Sequence, residues 1–128
     1  MLFRVTTIAL LTLFLTACWC GSNKEAAARA KGLSQERLSR LFADVAALKP
    51  DRPDRDVVIT GRNGFPREFQ DLQPRYIRST GDTALIHLAG CGDDKALLIL
   101  HGLDGSTLKT IILAPGERED PVTLWRSK

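Results

Sequence analysis

Aromatic residues are scarce in this 128-residue chain, at 6% of the total, and only three cysteines, two histidines and one methionine occur. Few aromatics leave no stacking platforms along the strand-like segments, which disfavours single-stranded nucleic acid as a partner. A length of 128 residues is short of what a paired dinucleotide-binding fold or an eight-stranded α/β barrel needs. The charged fraction of 26% is ordinary, so wholesale disorder is not indicated. Long apolar runs are also missing, with one exception at the start of the chain.

That exception is Val5–Ala17, apolar apart from threonines and preceded by Arg4; residues 1–17 hold 12 hydrophobic side chains. A helix over these 13 residues would span roughly 20 Å, against about 30 Å for a bilayer core. The segment therefore reads as the apolar region of a secretory signal and not as a membrane span. Cleavage after Ala17 by an ordinary signal peptidase would place bulky Leu15 where a small residue is wanted. Leu15-Thr16-Ala17-Cys18 instead resembles the lipobox of bacterial lipoproteins. The resemblance covers about residues 1–18. It implies diacylglyceryl transfer to Cys18, cleavage before it and acylation of the new amino terminus. It also implies a protein on the periplasmic face of the cell envelope. Trp19, not Asp, follows the anchor, which favours the outer membrane over the inner.

With Cys18 lipidated, Cys20 and Cys91 are left in an oxidising compartment. A disulfide between them would close a loop of about 70 residues, worth roughly 4 kcal/mol in the chain-entropy picture. Cys20 lies two residues from the anchor, which restricts its reach, so two free thiols or a mixed disulfide with a partner are an equal alternative.

Residues 18–32 read as a lipidated tether. Lys24–Lys31 favours a helix but shows no apolar stripe, so a helical spacer ending at Gly32 is expected. The folded domain is expected over 33–128. Its first element is a helix with Ser34 as N-cap, a Leu33/Leu38 staple and Glu36 in the first turn. Leu38, Leu41, Phe42, Val45 and Leu48 form one apolar face, Arg37, Arg40 and Asp44 the other, and Pro50 ends it. Pro50–Asp56 is a rigid charged connector; the PxxP spacing of Pro50 and Pro53 is a coincidence of that composition.

From Val57 onward the pattern turns to β. Strands are predicted at Val57–Thr60, Tyr76–Arg78, Thr83–Ala89, Ala96–His101, Thr107–Leu113 and Val122–Arg126, with a single helical turn at Phe65–Leu72. Short Gly-, Asp- and Pro-containing separators cannot hold parallel crossovers, so the strands form an antiparallel meander. Ala96–Leu100 is apolar on both faces, as in a central strand covered twice. The class is α+β: one N-terminal amphipathic helix on a five- or six-stranded antiparallel sheet.

The formal net charge of +3 is unevenly distributed. Residues 24–78 carry 12 Lys and Arg against 8 Asp and Glu, and residues 79–128 carry 5 against 7. Arg62, Arg67, Arg75 and Arg78 therefore form a candidate basic partner surface, weighed against arginines solvated beside their own aspartates.

Residues suited to chemistry are few. His87, Cys91 and His101 could supply a Cys–His nucleophile or, as His-x3-Cys-x9-His, zinc ligands. If the hairpin set His87 beside His101, a metal site would follow; the plainer reading is partly buried histidines bonded to backbone. Asp93, Asp94 and Asp104 lack the spacing of a calcium loop, and aspartates are normal in turns. Gly90-Cys91-Gly92 is not followed by a helix, so it is no phosphate cradle. Ser106 has no nucleophile-elbow context. Trp125 reads as a core residue closing the last strand, with a partner anchor as the alternative.

No catalytic constellation emerges, and no cofactor is implied. The expected function is a membrane-anchored, non-enzymatic protein-binding module. It would be of inhibitor or immunity type or an accessory of envelope assembly, meeting a periplasmic protein through the Gly61–Leu72 or Gly102–Ser106 region. A small-ligand carrier or metal chaperone is the alternative.

Overall fold

The computed structural model describes residues 22–48, 57–60, 65–91, 94–105 and 107–127, and the chain is α+β. Two helices, α1 (Asn23–Lys31) and α2 (Gln35–Ala46), precede six strands: β1 (Val57–Thr60), β2 (Tyr76–Thr80), β3 (Thr83–Cys91), β4 (Asp94–His101), β5 (Thr110–Ala114) and β6 (Val122–Arg126). A 3-10 turn at Arg67–Leu72 links β1 to β2. Every strand pairs antiparallel with its neighbour in sequence, giving the sheet order β1-β2-β3-β4-β5-β6.

The N-cap and apolar stripe of α2 are as the sequence predicts, but the helix ends at Ala46, short of the stop expected at Pro50, and leaves Leu48 beyond it. The Ser34 hydroxyl accepts from the Arg37 amide at 3.2 Å and caps the helix. Leu38, Leu41, Phe42 and Val45 are all buried, and their i, i+3, i+4, i+7 spacing sets them on one stripe. They meet a sheet face built from Ile77, Ala84, Ile86, Leu98, Leu100, Ile111 and Leu113, each fully inaccessible. Phe69 and Leu72 from the 3-10 turn complete this layer. Arg37 ties α2 to that turn through Asp71, 3.2 Å away, and lies over the Phe69 ring.

The first helix differs from expectation. The sequence predicts a spacer over 24–31 with nothing to pack against, yet Ala26, Ala27 and Ala30 are buried and Leu33 joins the same core. Helix α1 approaches β3, β4 and the 3-10 turn. Its contact surface is made of methyl groups, which allow close backbone approach but score as weakly apolar, so no stripe is visible in the sequence. The fold therefore contains two packed helices, not one, and the packed body begins at α1.

Several β details also depart from the prediction: β2 runs on to Thr80, and β3 and β4 extend to Cys91 and from Asp94, so Cys91 ends a strand and does not lie in the turn. Strand β5 starts at Thr110 and not at Thr107. Residues 107–109 are held instead against Ser127, whose hydroxyl accepts from the Lys109 amide and donates to the Thr107 carbonyl. Strand β4 is covered fully on one side only: Ala96, Leu98 and Leu100 are buried, whereas Leu97 and Ile99 remain partly exposed. The expectation of a strand covered twice is thus met on one face alone. On the other face Leu85, Ile99 and Ile112 line up across three strands as a partly exposed aliphatic row.

Candidate functional site

A groove of about 280 Å³ lies between the second half of α2, the β4–β5 loop and the end of β6. Its walls include Phe42, Ala46, Leu103, Lys109, Trp125 and Ser127. Phe42 comes from the buried stripe of α2. The Phe42 and Trp125 rings stack at a tilt, with centroids 5.3 Å apart, a separation at which aromatic pairs attract. The Lys109 ammonium lies 5.9 Å from the centre of the Phe42 ring, where the ring quadrupole holds a cation. No carboxylate among the described residues pairs with Lys109. Leu108 beside it is 56% exposed, the most exposed large hydrophobic residue among those described.

The loop that forms one lip is fixed by backbone contacts. The Gly102 and Leu103 amides both donate to the Asp82 carbonyl at 2.9 Å, tying the β4–β5 loop to the β2–β3 turn. Gly102 has φ +90°, and a Cβ there would come 2.5 Å from the Leu108 carbonyl. Glycine is required at this position for conformation and for space. The lip is held to the β2–β3 turn at Gly102 and Leu103, and an apolar wall with a cation behind it is suited to a side chain with a carboxylate next to it.

The sequence points to part of this site. Gly102–Ser106 contributes Gly102, Leu103 and Gly105 to the groove. Trp125 combines the two readings given to it: it is partly buried against Phe42 and also lines the groove. Phe42 and Lys109 are not legible as site residues in the sequence, because only the tertiary fold brings the α2 stripe beside the end of β6. The other expected anchor region, Gly61–Leu72, does not present its apolar residues. Phe65, Phe69 and Leu72 are core residues at 5%, 0% and 1% exposure, and residues 61–64 lie outside the described residues.

The histidines are not brought together. His87 on β3 pairs with Leu97, whereas His101 on β4 pairs with Thr83. Four residues of register therefore separate them, about 13 Å at the rise of a strand. Among the described residues no group of three His, Cys, Asp or Glu side chains is placed to hold a metal. His87 is buried; its Nε2 donates to the Ala89 carbonyl at 3.0 Å, and its ring meets Tyr76 edge-on. That bond leaves Nδ1 unprotonated and without a partner. Burial therefore lowers the His87 pKa from its ordinary value, and nearby Lys95 and Arg75 add to the effect. His101 is exposed, its Nδ1 3.3 Å from the Thr83 hydroxyl.

The basic surface is only partly described. Arg62 lies outside the described residues, as does the side chain of Arg67. Arg75 is half-buried and Arg78 exposed on β2, and each already has an interaction of its own. Cys18 and Cys20 lie outside the described residues, as does the side chain of Cys91. Asn23, three residues past Cys20 in the chain, donates from Nδ2 to the Asp94 carbonyl at 3.3 Å and lies against Gly90.

No known protein family, curated protein or solved structure matches the chain.

Proposed function

We propose that this chain is a lipid-anchored envelope lipoprotein, acylated at Cys18, whose body binds a periplasmic protein and performs no catalysis. The observation that carries the binding role is the groove: two stacked aromatic rings and the Lys109 ammonium converge beside a glycine-bearing lip, with exposed Leu108 next to Lys109 in the chain. Aromatic and apolar anchors in a partly desolvated pocket are the usual energetic centre of a protein interface. The occupant proposed is an apolar side chain of a partner protein flanked by Asp or Glu, whose carboxylate meets Lys109. Whether that partner is a hydrolase to be inhibited or a component of envelope assembly is decided by its identity once captured.

A Cys20–Cys91 disulfide belongs to the same proposal. It is supported by Asn23, three residues after Cys20 in the chain, which lies against Gly90 and donates to the Asp94 carbonyl. A carrier or metal-chaperone role has less support. The groove falls at the lower limit of roughly 300–1,000 Å³ usual for enclosed ligand sites, and the register separates the two histidines.

A photoreactive residue at Leu103, introduced in living cells, tests the groove. A single protein adduct is expected there, lost on adding Lys109→Glu, with none from the same residue placed at Glu119. Equal adducts at both positions, or none at Leu103, would overturn the reading.

A further inference from the structure

We infer that the body stands on the bilayer at its Asn23 end and presents the groove away from the membrane. This rests on the acylation of Cys18 proposed above. Because α1 is packed into the core from Asn23 onward, only four residues, 19–22, separate the lipid-bearing cysteine from the folded body. Five Cα steps reach at most about 18 Å, even fully extended. A free 15-residue spacer would have let the body tumble; a packed α1 removes most of that freedom.

Asn23 is fixed to one end of the sheet. Its amide side chain donates to the Asp94 carbonyl, and Asp94 Oδ1 in turn accepts from the Glu117 amide at 2.9 Å. The start of α1, the β3–β4 hairpin and the β5–β6 connection thus meet at this end. The groove lies at the other end, where β4 runs into Gly102, β6 runs into Ser127 and α2 finishes. The two ends are separated by the length of β3, roughly 26 Å for eight strand steps. Glu117, Glu119 and Asp120 are exposed at this end beside Arg118, and exposed Lys24, Glu25 and Asp94 and half-buried Lys95 lie there too. This mixed charge, with carboxylates in slight excess, gives no strong attraction to phosphate headgroups, so the short covalent tether, and not surface charge, sets the orientation. A partner for the groove is therefore met on the side facing away from the bilayer.

The test uses full-length acylated protein, carrying a fluorescent non-natural residue at Glu119 or at Leu108, in phosphatidylcholine vesicles with nitroxide-headgroup lipid. Quenching is expected to be severalfold stronger at 119 than at 108. Inserting a long Gly/Ser segment between Trp19 and Cys20, upstream of the proposed disulfide, should abolish that difference. Equal quenching at the two positions, stronger quenching at 108, or a difference that survives the insertion overturns the orientation alone. A protein whose intact mass lacks acyl chains on Cys18 overturns the orientation and the anchor together.

Discussion

His87 shows how one side chain couples burial to pH. Its Nε2 is committed to the Ala89 carbonyl and its Nδ1 has no partner, so a second proton would bring an unsolvated charge into the sheet. The folded pKa lies below the ordinary value of 6.5, and the unfolded chain therefore binds the proton more readily. Stability from this group is complete above the unfolded value and is lost as pH falls through it toward the folded one. Urea unfolding should show lower stability at pH 5.5 than at pH 7.5, with a smaller difference in His87→Asn. Identical pH dependence in the two proteins would assign the effect elsewhere. Gly102 makes a steric prediction at the same scale. Gly102→Ala combines a left-handed φ with a clash against the Leu108 carbonyl, and should cost about 2–3 kcal/mol in the same assay.

Helix α1 is the element whose role changes most between sequence and structure. Ala26 and Ala30 are fully inaccessible, so Ala30→Glu should destabilise the body by about 3 kcal/mol. A spacer helix would tolerate the same change within roughly 0.5 kcal/mol. Denaturant unfolding separates these outcomes. The difference in legibility between the helices has a physical origin. The cap, staple and stripe of α2 are local signals carried by Ser34, Leu33 and large aliphatic residues. Burial of α1 depends on what lies opposite three methyl groups, which no local pattern records. The meander was legible because short turns leave no other connection. The separation of His87 from His101 was not, since it depends on a register set by the β3–β4 hairpin and the irregularity between His87 and Ala89. Half of the groove was legible through the Gly102–Ser106 turn. The half supplied by Phe42 and Lys109 arises only when α2 crosses the end of β6.

At the scale of the whole molecule, the start of α1 and the groove sit at opposite ends of one packed sheet. Phe42→Ala is a poor probe of the groove, because the ring is 4% exposed and its loss would weaken the core by about 3–5 kcal/mol. Lys109→Glu reverses the charge beside the rings without opening a cavity. It should leave the unfolding midpoint nearly unchanged while abolishing crosslinking from Leu103. A large fall in stability would instead assign Lys109 a structural role. The proposed disulfide is checked by peptide mapping without reductant. A linked Cys20–Cys91 peptide pair is expected, and free thiols at both positions in protein taken from the envelope would exclude it. All of these depend on where the chain is held. The most direct measurement is the intact mass of the protein extracted from the cell envelope, beside Cys18→Ser. The expected result is a chain beginning at Cys18 with acyl chains on its thiol and amino group, and an unacylated, unprocessed chain in the variant. An unmodified mature protein recovered in the soluble periplasm, beginning at any other residue, would contradict lipid anchoring at Cys18.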